Sequence, residues 1–249
     1  MTRPAVSIVM STWNRPALLH QTLASIARQR PPFTFELIVV DDGPQKGETQ
    51  RVVEHVCRAA RFETSYTMTT NQHYRNPCVA RNIGLKQARG QVVIMQSDDV
   101  MHGDLDTIER LVRFDHASEF TIATVWNRTT EQHAAGVNGD LMTGTRKHRP
   151  FFFLGAVSRR AIYSIGGNCE DFTRCCFDDD WLADCLVHGA GLRPVYLDGV
   201  RGYHQHHARP ASVGDDYRAR EQGYRAKRFA AETGQAPWIG GPAWPYHHD

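Results

Sequence analysis

The chain has 249 residues, is 41% hydrophobic and 22% charged, and carries a formal net charge of +2; this is globular composition, sized for one large α/β domain or two intimate halves. Its 29 Lys and Arg and 27 Asp and Glu are spread without long blocks, which excludes a general electrostatic pull toward nucleic acid or anionic membrane. No run of about 18 apolar residues marks a membrane span, and six cysteines without framework spacing (Cys57, Cys78, Cys169, Cys175, Cys176, Cys185) predict reduced thiols in a cytoplasmic protein. In chain order, "VSIVMS" from Val6 is a short continuous apolar run, which predicts a strand buried on both faces. A helix follows, with Asn14 able to cap, Pro16 in the first turn, and Leu19, Leu23 and Ile26 at helical spacing. "FELIVVDDG" predicts a second buried strand that ends in Asp41, Asp42 and Gly43. A helix over about Thr49 to Arg61 turns Val52, Val53 and Val56 inward, and "TSYTMTT" predicts a third strand. "NPCVARNIGLKQARG" predicts a helix closed by Gly90, and "VVIMQ" a fourth strand that runs into Ser97, Asp98 and Asp99.

Strands alternating with helices predict an α/β fold, a mostly parallel sheet covered by helices on both faces. Ligands of such sheets bind outside the carboxyl ends of the strands. Both carboxylate pairs, Asp41–Asp42 and Asp98–Asp99, fall at those ends. Two acidic clusters on one rim repel unless something sits between them. A divalent cation such as Mg²⁺ or Mn²⁺, which takes one or two carboxylates and leaves the rest of its shell to phosphate and water, resolves the repulsion. A nucleoside diphosphate fits that description. The competing reading makes each strand-end Asp a cap for the next helix; two pairs at one edge favour a ligand.

Five ordered stretches resemble the family 2 glycosyltransferases of GT-A fold. They are "VSIVMSTWNR", "ELIVVDDGP", "ARNIGLKQARG", "VVIMQSDDV" and the acceptor-side "FLGAVSRRAIYSIGGNCEDF" with "FDDDWLADCLVHGAGLRPVY". Together they cover roughly residues 5 to 200. Many family members carry an Asp two residues before the acidic pair; here that position is Gln96. The resemblance implies that Ser11, Thr12 and Trp13 border the base and ribose. It implies that Asp41, with Asp42 beside it, bonds the uracil or ribose, and that Arg81 lies near the nucleotide or its phosphates. Asp98 is then set against ribose or donor sugar, and Asp99 on the metal. Packing is the alternative for Trp13, and an ion pair with Asp42 or Asp98 the alternative for Arg81.

Inverting glycosyl transfer needs a base for the acceptor hydroxyl, and the resemblance places it in "FDDDW". Leu182 and Leu186 follow Asp179 at helical spacing, so Asp178–Asp179 aligns with the family's acidic pair and Asp179 becomes the base, with Asp178 and Asp180 as neighbours in an uncertain register. Three Asp at a helix start also favour the helix dipole without any catalysis. Gly166 and Gly167 match a family turn. "GYHQHHARP" holds His204, His206 and His207, and in metal-dependent relatives a His from this region completes the cation's shell. His204 and His206 share a face if the stretch is extended, which nominates them alongside Asp99. A zinc site from Cys169, Cys175, Cys176 and His188 matches no common spacing. Trp238, Trp244 and Tyr246 in the Pro/Gly-rich tail pin it to the body or stack on a sugar.

These readings give a single GT-A domain over 1–249: a nucleotide-sugar half to residue 100, an acceptor and catalytic half over 101–214, and a C-terminal helix and tail over 215–249. The implied activity is metal-assisted transfer, with inversion, from a nucleotide sugar, a UDP-sugar foremost, to a saccharide or other hydroxyl acceptor. Nothing in the charge supports a nucleic-acid acceptor. Two rivals remain: a nucleotidyltransferase, although "STWNRP" lacks the Gly-rich basic phosphate loop that chemistry needs, and a catalytically inactive nucleotide-sugar-binding scaffold.

Overall fold

The computed structural model describes residues 3–43, 47–58, 60–69, 76–174, 176–207 and 217–246. In chain order the first half runs β1 (Val6–Thr12), α1 (Pro16–Ala27), β2 (Phe35–Asp41), α2 (Glu48–Cys57), β3 (Glu63–Met68), α3 (Cys78–Gln87) and β4 (Val92–Ser97). The second half runs β5 (Val100–His102), α4 (Thr107–Leu111), β6 (Glu119–Arg128), α5 (Thr130–Ala134), β7 (Leu141–Thr143), β8 (Leu154–Ser158), α6 (Arg159–Ser164) and α7 (Asp178–Asp184). A π-helical turn over Cys185–Gly189, β9 (Arg193–Gln205) and α8 (Tyr217–Glu232) follow. Among the described residues no helix is long and apolar enough to cross a membrane.

The strands form one sheet in the order β3-β2-β1-β4-β8-β6-β9-β5, with β7 against β6. The first four pair in parallel, as the buried apolar runs predict. The parallel run stops at β4, because β8 pairs antiparallel with it. Beyond that point the sheet is mixed: β6 is antiparallel to β8, parallel to β9 and antiparallel to β7. Thr12 lies opposite Asp41, and Ser11 opposite Ser97, so β1, β2 and β4 end level on one rim.

Alternation along each strand divides the core. Ile8, Met10, Leu37, Val39 and Ile94 pack with Leu19, Leu23 and Ile26 of α1, Val53 of α2 and Ile108 of α4. Val9, Ile38, Val40, Val93 and Met95 face the other way, onto Ala80 and Leu85 of α3, Ile162 of α6 and Trp181 and Leu182 of α7. Burying each large aliphatic side chain contributes about 1.5–3 kcal/mol, so both faces stabilise the sheet whose ends form the rim. Gly84 lets α3 come close: a Cβ there would stand 2.7 Å from Val9 Cγ1.

Helix α3 is bonded to the second half. Asn82 donates to the Asn168 carbonyl (2.9 Å) and Glu170 Oε1 (2.8 Å), and accepts from the Asn168 backbone N–H (2.8 Å). Asn76, just before α3, donates to the Arg174 carbonyl (2.7 Å). The tail is pinned: Trp238 stacks on Trp181 at 5.5 Å, Trp181 Nε1 donates to the Ile239 carbonyl, and Trp244 N–H donates to the Tyr163 carbonyl. Gly167 sits at φ +73°, where the tail's Trp244 lies over its α-carbon. A side chain there meets both an unfavourable backbone and that indole. Gly167→Ala is expected to cost about 1–3 kcal/mol, read as a lowered thermal midpoint; an unchanged midpoint would show that the tail is dispensable to the body.

Candidate functional site

The rim is built by the sheet itself. Asp98 and Asp99 follow β4 directly, and the Gln205 backbone N–H donates to the Asp99 carbonyl (2.8 Å), which brings the end of β9 to the same spot. Val100 pairs with His204 in the short β5–β9 ladder. Both carboxylates are buried. Thr12 Oγ1 donates to Asp98 Oδ2 (2.7 Å). Asp99 Oδ2 lies 2.8 Å from Arg15 Nη1, 3.1 Å from His207 Nε2 and 3.4 Å from His204 Nε2. Arg15 Nη1 is also 3.7 Å from Asp98 Oδ1. Burial, then the neighbouring Asp99, pushes the Asp98 carboxyl well above its usual range, against the Thr12 hydrogen bond and Arg15. Burial acts on Asp99 in the same sense. Hydrogen bonds from His204 and His207, with the charge of Arg15, outweigh it and hold Asp99 below the usual range.

One polar atom is left over. Asp99 Oδ1 is buried and has no hydrogen-bond partner among the described residues. Such an orphan needs an explanation, and a missing ion is one. Single ligand atoms of Asp99, His204 and His207 all lie within 4.8 Å of one another, the one potential metal-holding group among the described residues. The amide of Asn127 fixes the His204 ring. Its Oδ1 accepts from His204 Nδ1 (3.0 Å), while its Nδ2 donates to His206 Nδ1 (3.2 Å). With Nδ1 turned to Asn127, Nε2 is the His204 nitrogen that faces Asp99 and would take a metal in place of its proton, the outer-shell pattern of a histidine that binds metal. One carboxylate and two imidazoles fit Mn²⁺ better than Mg²⁺, which favours oxygen ligands throughout.

The nomination of His206 is corrected. Strand β9 ends at Gln205, so alternation fails one residue later. The His206 N–H bonds the Arg128 carbonyl, its side chain is exposed, and His207 turns back to Asp99 instead. His206 touches the cluster only through Asn127.

Gln96 stands apart from the cluster. Its Nε2 donates to the Val100 carbonyl (2.7 Å) and its Oε1 faces His102 Nε2 (3.0 Å), closing the β4–β5 turn internally. Burial pulls the His102 pKa down to about 3, so its ring is neutral and donates to the amide oxygen. The shortened acidic motif therefore leaves no gap at the rim.

On β2, Asp41 accepts from Tyr66 OH (2.7 Å) and the Gly43 N–H (2.8 Å), and burial followed by Asp41 raises the Tyr66 phenol above its usual range. Asp42 accepts from Thr69 Oγ1 (2.5 Å), and burial raises its carboxyl. Ser11 is half-buried at the end of β1. Trp13, 46% exposed, is not core packing.

Arg81 does not pair with Asp42 or Asp98. Its Nη1 is 2.8 Å from Asp179 Oδ1 and 3.7 Å from Asp178 Oδ2. The three aspartates at the start of α7 differ in surroundings. Asp178 is buried, and burial with the Asp179 charge pushes its carboxyl up, against Arg81. Asp179 is gripped by Arg81. Asp180 accepts from Arg149 Nη2 at 3.1 Å on both oxygens. Helix α7 opens from a strained turn: Cys176 and Phe177 hold φ +86° and +68°, a conformation non-glycine residues keep only when their surroundings enforce it. Phe177 stacks on Tyr224 of α8 at 5.4 Å, which supplies that enforcement. Of the zinc candidates, Cys175 lies outside the described residues, and His188 lies against Trp238 at 4.6 Å.

Sequence reasoning missed Arg15, Asn127 and the assignment of His207. Arg15 was within the quoted "STWNR" stretch; a lone basic residue beside a strand end predicted to meet phosphate was its signal. Asn127 had none.

Residues 7–167 match the model of "Glycosyl transferase family 2". The chain is 34% identical over 100 residues to the poly(ribitol-phosphate) beta-N-acetylglucosaminyltransferase TarP of Staphylococcus aureus, covering 39% of this chain and 29% of that protein. It is 32% identical over 105 residues to an uncharacterized glycosyltransferase of Haemophilus influenzae, covering 42% and 40%. The chain thus spans less than half the length of these relatives. A mannosyltransferase from Pyrobaculum calidifontis, solved with GDP-Man and Mn²⁺, aligns with a TM-score of 0.64 at 21% identity over 95% of this chain and 66% of that one. Residues 1–349 of S. aureus TarS, solved with UDP-GlcNAc, align with a TM-score of 0.66 at 16% identity over 93% and 67%. At such identities the likeness establishes the fold, GT-A.

Proposed function

The chain belongs to glycosyl transferase family 2, and from that premise we propose that it transfers a sugar from a nucleotide-sugar donor to a hydroxyl acceptor with inversion. The observation that carries the reading is the Asp99–His204–His207 group, with the orphaned Asp99 Oδ1, at the rim where Asp41 and Asp42 also end. Asp99, His204 and His207 would hold the divalent ion, Mn²⁺ foremost. Bound there, it would neutralise the leaving diphosphate, so no general acid is required. Ser11, Thr12, Trp13, Asp41 and Asp42 border the nucleoside, and Asp98 the ribose or donor sugar. Asp179 takes the acceptor hydroxyl proton as that oxygen bonds to the anomeric carbon. The electron pair of the broken anomeric C–O bond leaves with the diphosphate. Arg81, with Nη1 2.8 Å from Asp179 Oδ1, holds that carboxylate in place.

In this reading residues 1–100 serve the donor, 101–214 the acceptor, and 215–249 close the domain. A cytoplasmic setting belongs to it too, supported by unbridged thiols at Cys57, Cys78, Cys169 and Cys185. The base is uracil, because an Asp41 oxygen can accept from the uracil N3–H. Nucleotide release from UDP-, GDP- and dTDP-sugars, with and without Mn²⁺, tests the whole proposal. Mn²⁺-dependent release from a UDP-sugar is expected. Tighter calorimetric binding of GDP than UDP would overturn the uridine assignment, and binding without any turnover would favour the inactive scaffold.

A further inference from the structure

We infer that Arg15 is a built-in counter-cation: it holds the metal's place at Asp99 until a nucleoside diphosphate arrives, then transfers to the diphosphate. The inference rests on the reading of this rim as a metal–nucleotide site.

Two adjacent buried carboxylates repel, and the guanidinium reaching both of them relieves that repulsion. Its route is from outside. The Arg15 side chain is 35% exposed, whereas that of Asp99 is 6% exposed. The backbone of Arg15 is anchored, since its carbonyl accepts from the Leu19 N–H in the first turn of α1. Asn14, at φ +51°, bends the chain so that residue 15 leaves β1 toward the rim. A fixed backbone with a long, half-exposed side chain allows the guanidinium to swing without disturbing the fold.

Asp99 is lopsided. Arg15, His204 and His207 all crowd Oδ2, while Oδ1 has no partner among the described residues. A guanidinium on Oδ2 and a divalent ion on either oxygen of the same carboxylate exclude one another, because like charges that close repel strongly in a buried site. A metal arriving alone must therefore expel Arg15 into solvent and break a charge-assisted hydrogen bond with no replacement. A metal arriving with a diphosphate brings two phosphate groups, which suit a planar, forked donor better than a single shared carboxylate oxygen does. Arg15 thus opposes metal binding alone and favours nucleotide binding with metal. By linkage, the two ligands then strengthen each other.

The test separates those opposite signs. Free Mn²⁺ is followed by its solution electron paramagnetic resonance signal while protein is added, with and without UDP, and UDP affinity is measured at saturating Mn²⁺. Arg15→Gln is expected to raise the affinity for Mn²⁺ alone by about tenfold and to lower the affinity for UDP at saturating Mn²⁺ by about tenfold, the scale of one charged hydrogen bond. Arg15→Lys keeps the charge without the fork and should restore the low affinity for Mn²⁺ alone while recovering only part of the UDP affinity. The thermal midpoint of Arg15→Lys should match wild type; that of Arg15→Gln, which leaves the carboxylate pair without its counter-charge, should fall and should recover with saturating Mn²⁺. The proposal is overturned if Arg15→Gln leaves Mn²⁺ affinity unchanged, or if both affinities fall together as a structural role would have it. If wild type takes up no Mn²⁺ even with UDP, the metal–nucleotide reading fails as well, and the wild-type titration alone reveals that.

Discussion

Asp179→Asn is expected to lower sugar transfer by roughly 10²–10⁴-fold and to leave nucleotide binding intact. The amide keeps the size of the carboxylate and its bond from Arg81 but cannot accept the acceptor's proton. Asp178 and Asp180 should matter less to the rate. The first is buried beside Arg81, and the second is held by Arg149. Asp178→Asn should alter stability more than turnover, because it replaces a carboxyl whose charged form burial already disfavours. If the three aspartates serve only the helix dipole, all three variants lose similar amounts, about 0.3–1 kcal/mol, and turn over normally. Thermal melts with transfer rates on the three variants distinguish these outcomes. A large rate loss at Asp180, with Asp179 near normal, would move the base by one residue and keep the chemistry.

The second large effect is at Asp99. Asp99→Asn should weaken Mn²⁺-dependent UDP binding by at least about 100-fold, above the 10–100-fold typical of residues that only orient metal ligands. His207→Ala should follow it closely. His206→Ala should show the milder loss of about tenfold, since it acts only by holding the Asn127 amide that orients His204. Calorimetry of UDP with and without Mn²⁺ reads all three. Equal losses at His206 and His207 would show that the end of β9 rearranges on binding. Wild-type affinity in Asp99→Asn would remove that residue from the site.

The first half was legible because its strands are continuous apolar runs that stop at carboxylates, a pattern set by local burial. The second half was less so. Strands β5 and β7 have three residues each, too few for a period to show, and the antiparallel turn of the sheet at β8 depends on pairing between distant segments. Helix α2 ends at Cys57, short of the expected Arg61. At the site, His204 does lie beside Asp99, within the strand where alternation holds, whereas His206 lies one residue past the strand, where alternation no longer applies. The partner of Arg81 was unreadable for a similar reason: nothing local connects residue 81 to residue 179. The tail aromatics were foreseen as pins or sugar platforms, and the bonds to Trp181 and Tyr163 show them as pins.

The bonds from helix α3 across to the second half bear on how the chain comes to be folded. Asn76, Asn82 and Arg81 reach partners 86 to 98 residues further on. Contacts at that separation form slowly, because a long loop must close before any of them contributes. On a ribosome, the opening parallel strands and α3 are made while Asn168, Arg174 and Asp179 do not yet exist. Until those residues arrive, one face of α3 carries polar groups meant for burial. The strand ends that carry Asp41, Asp42, Asp98 and Asp99 can gather early, but Asp179 reaches Arg81, and His204 and His207 reach Asp99, only once the second half is made. The nascent first half is therefore the stage at which the protein is most open to misassociation, and a cut between the halves would part Asp179 from Arg81 while the four parallel strands β3, β2, β1 and β4 remained on one piece.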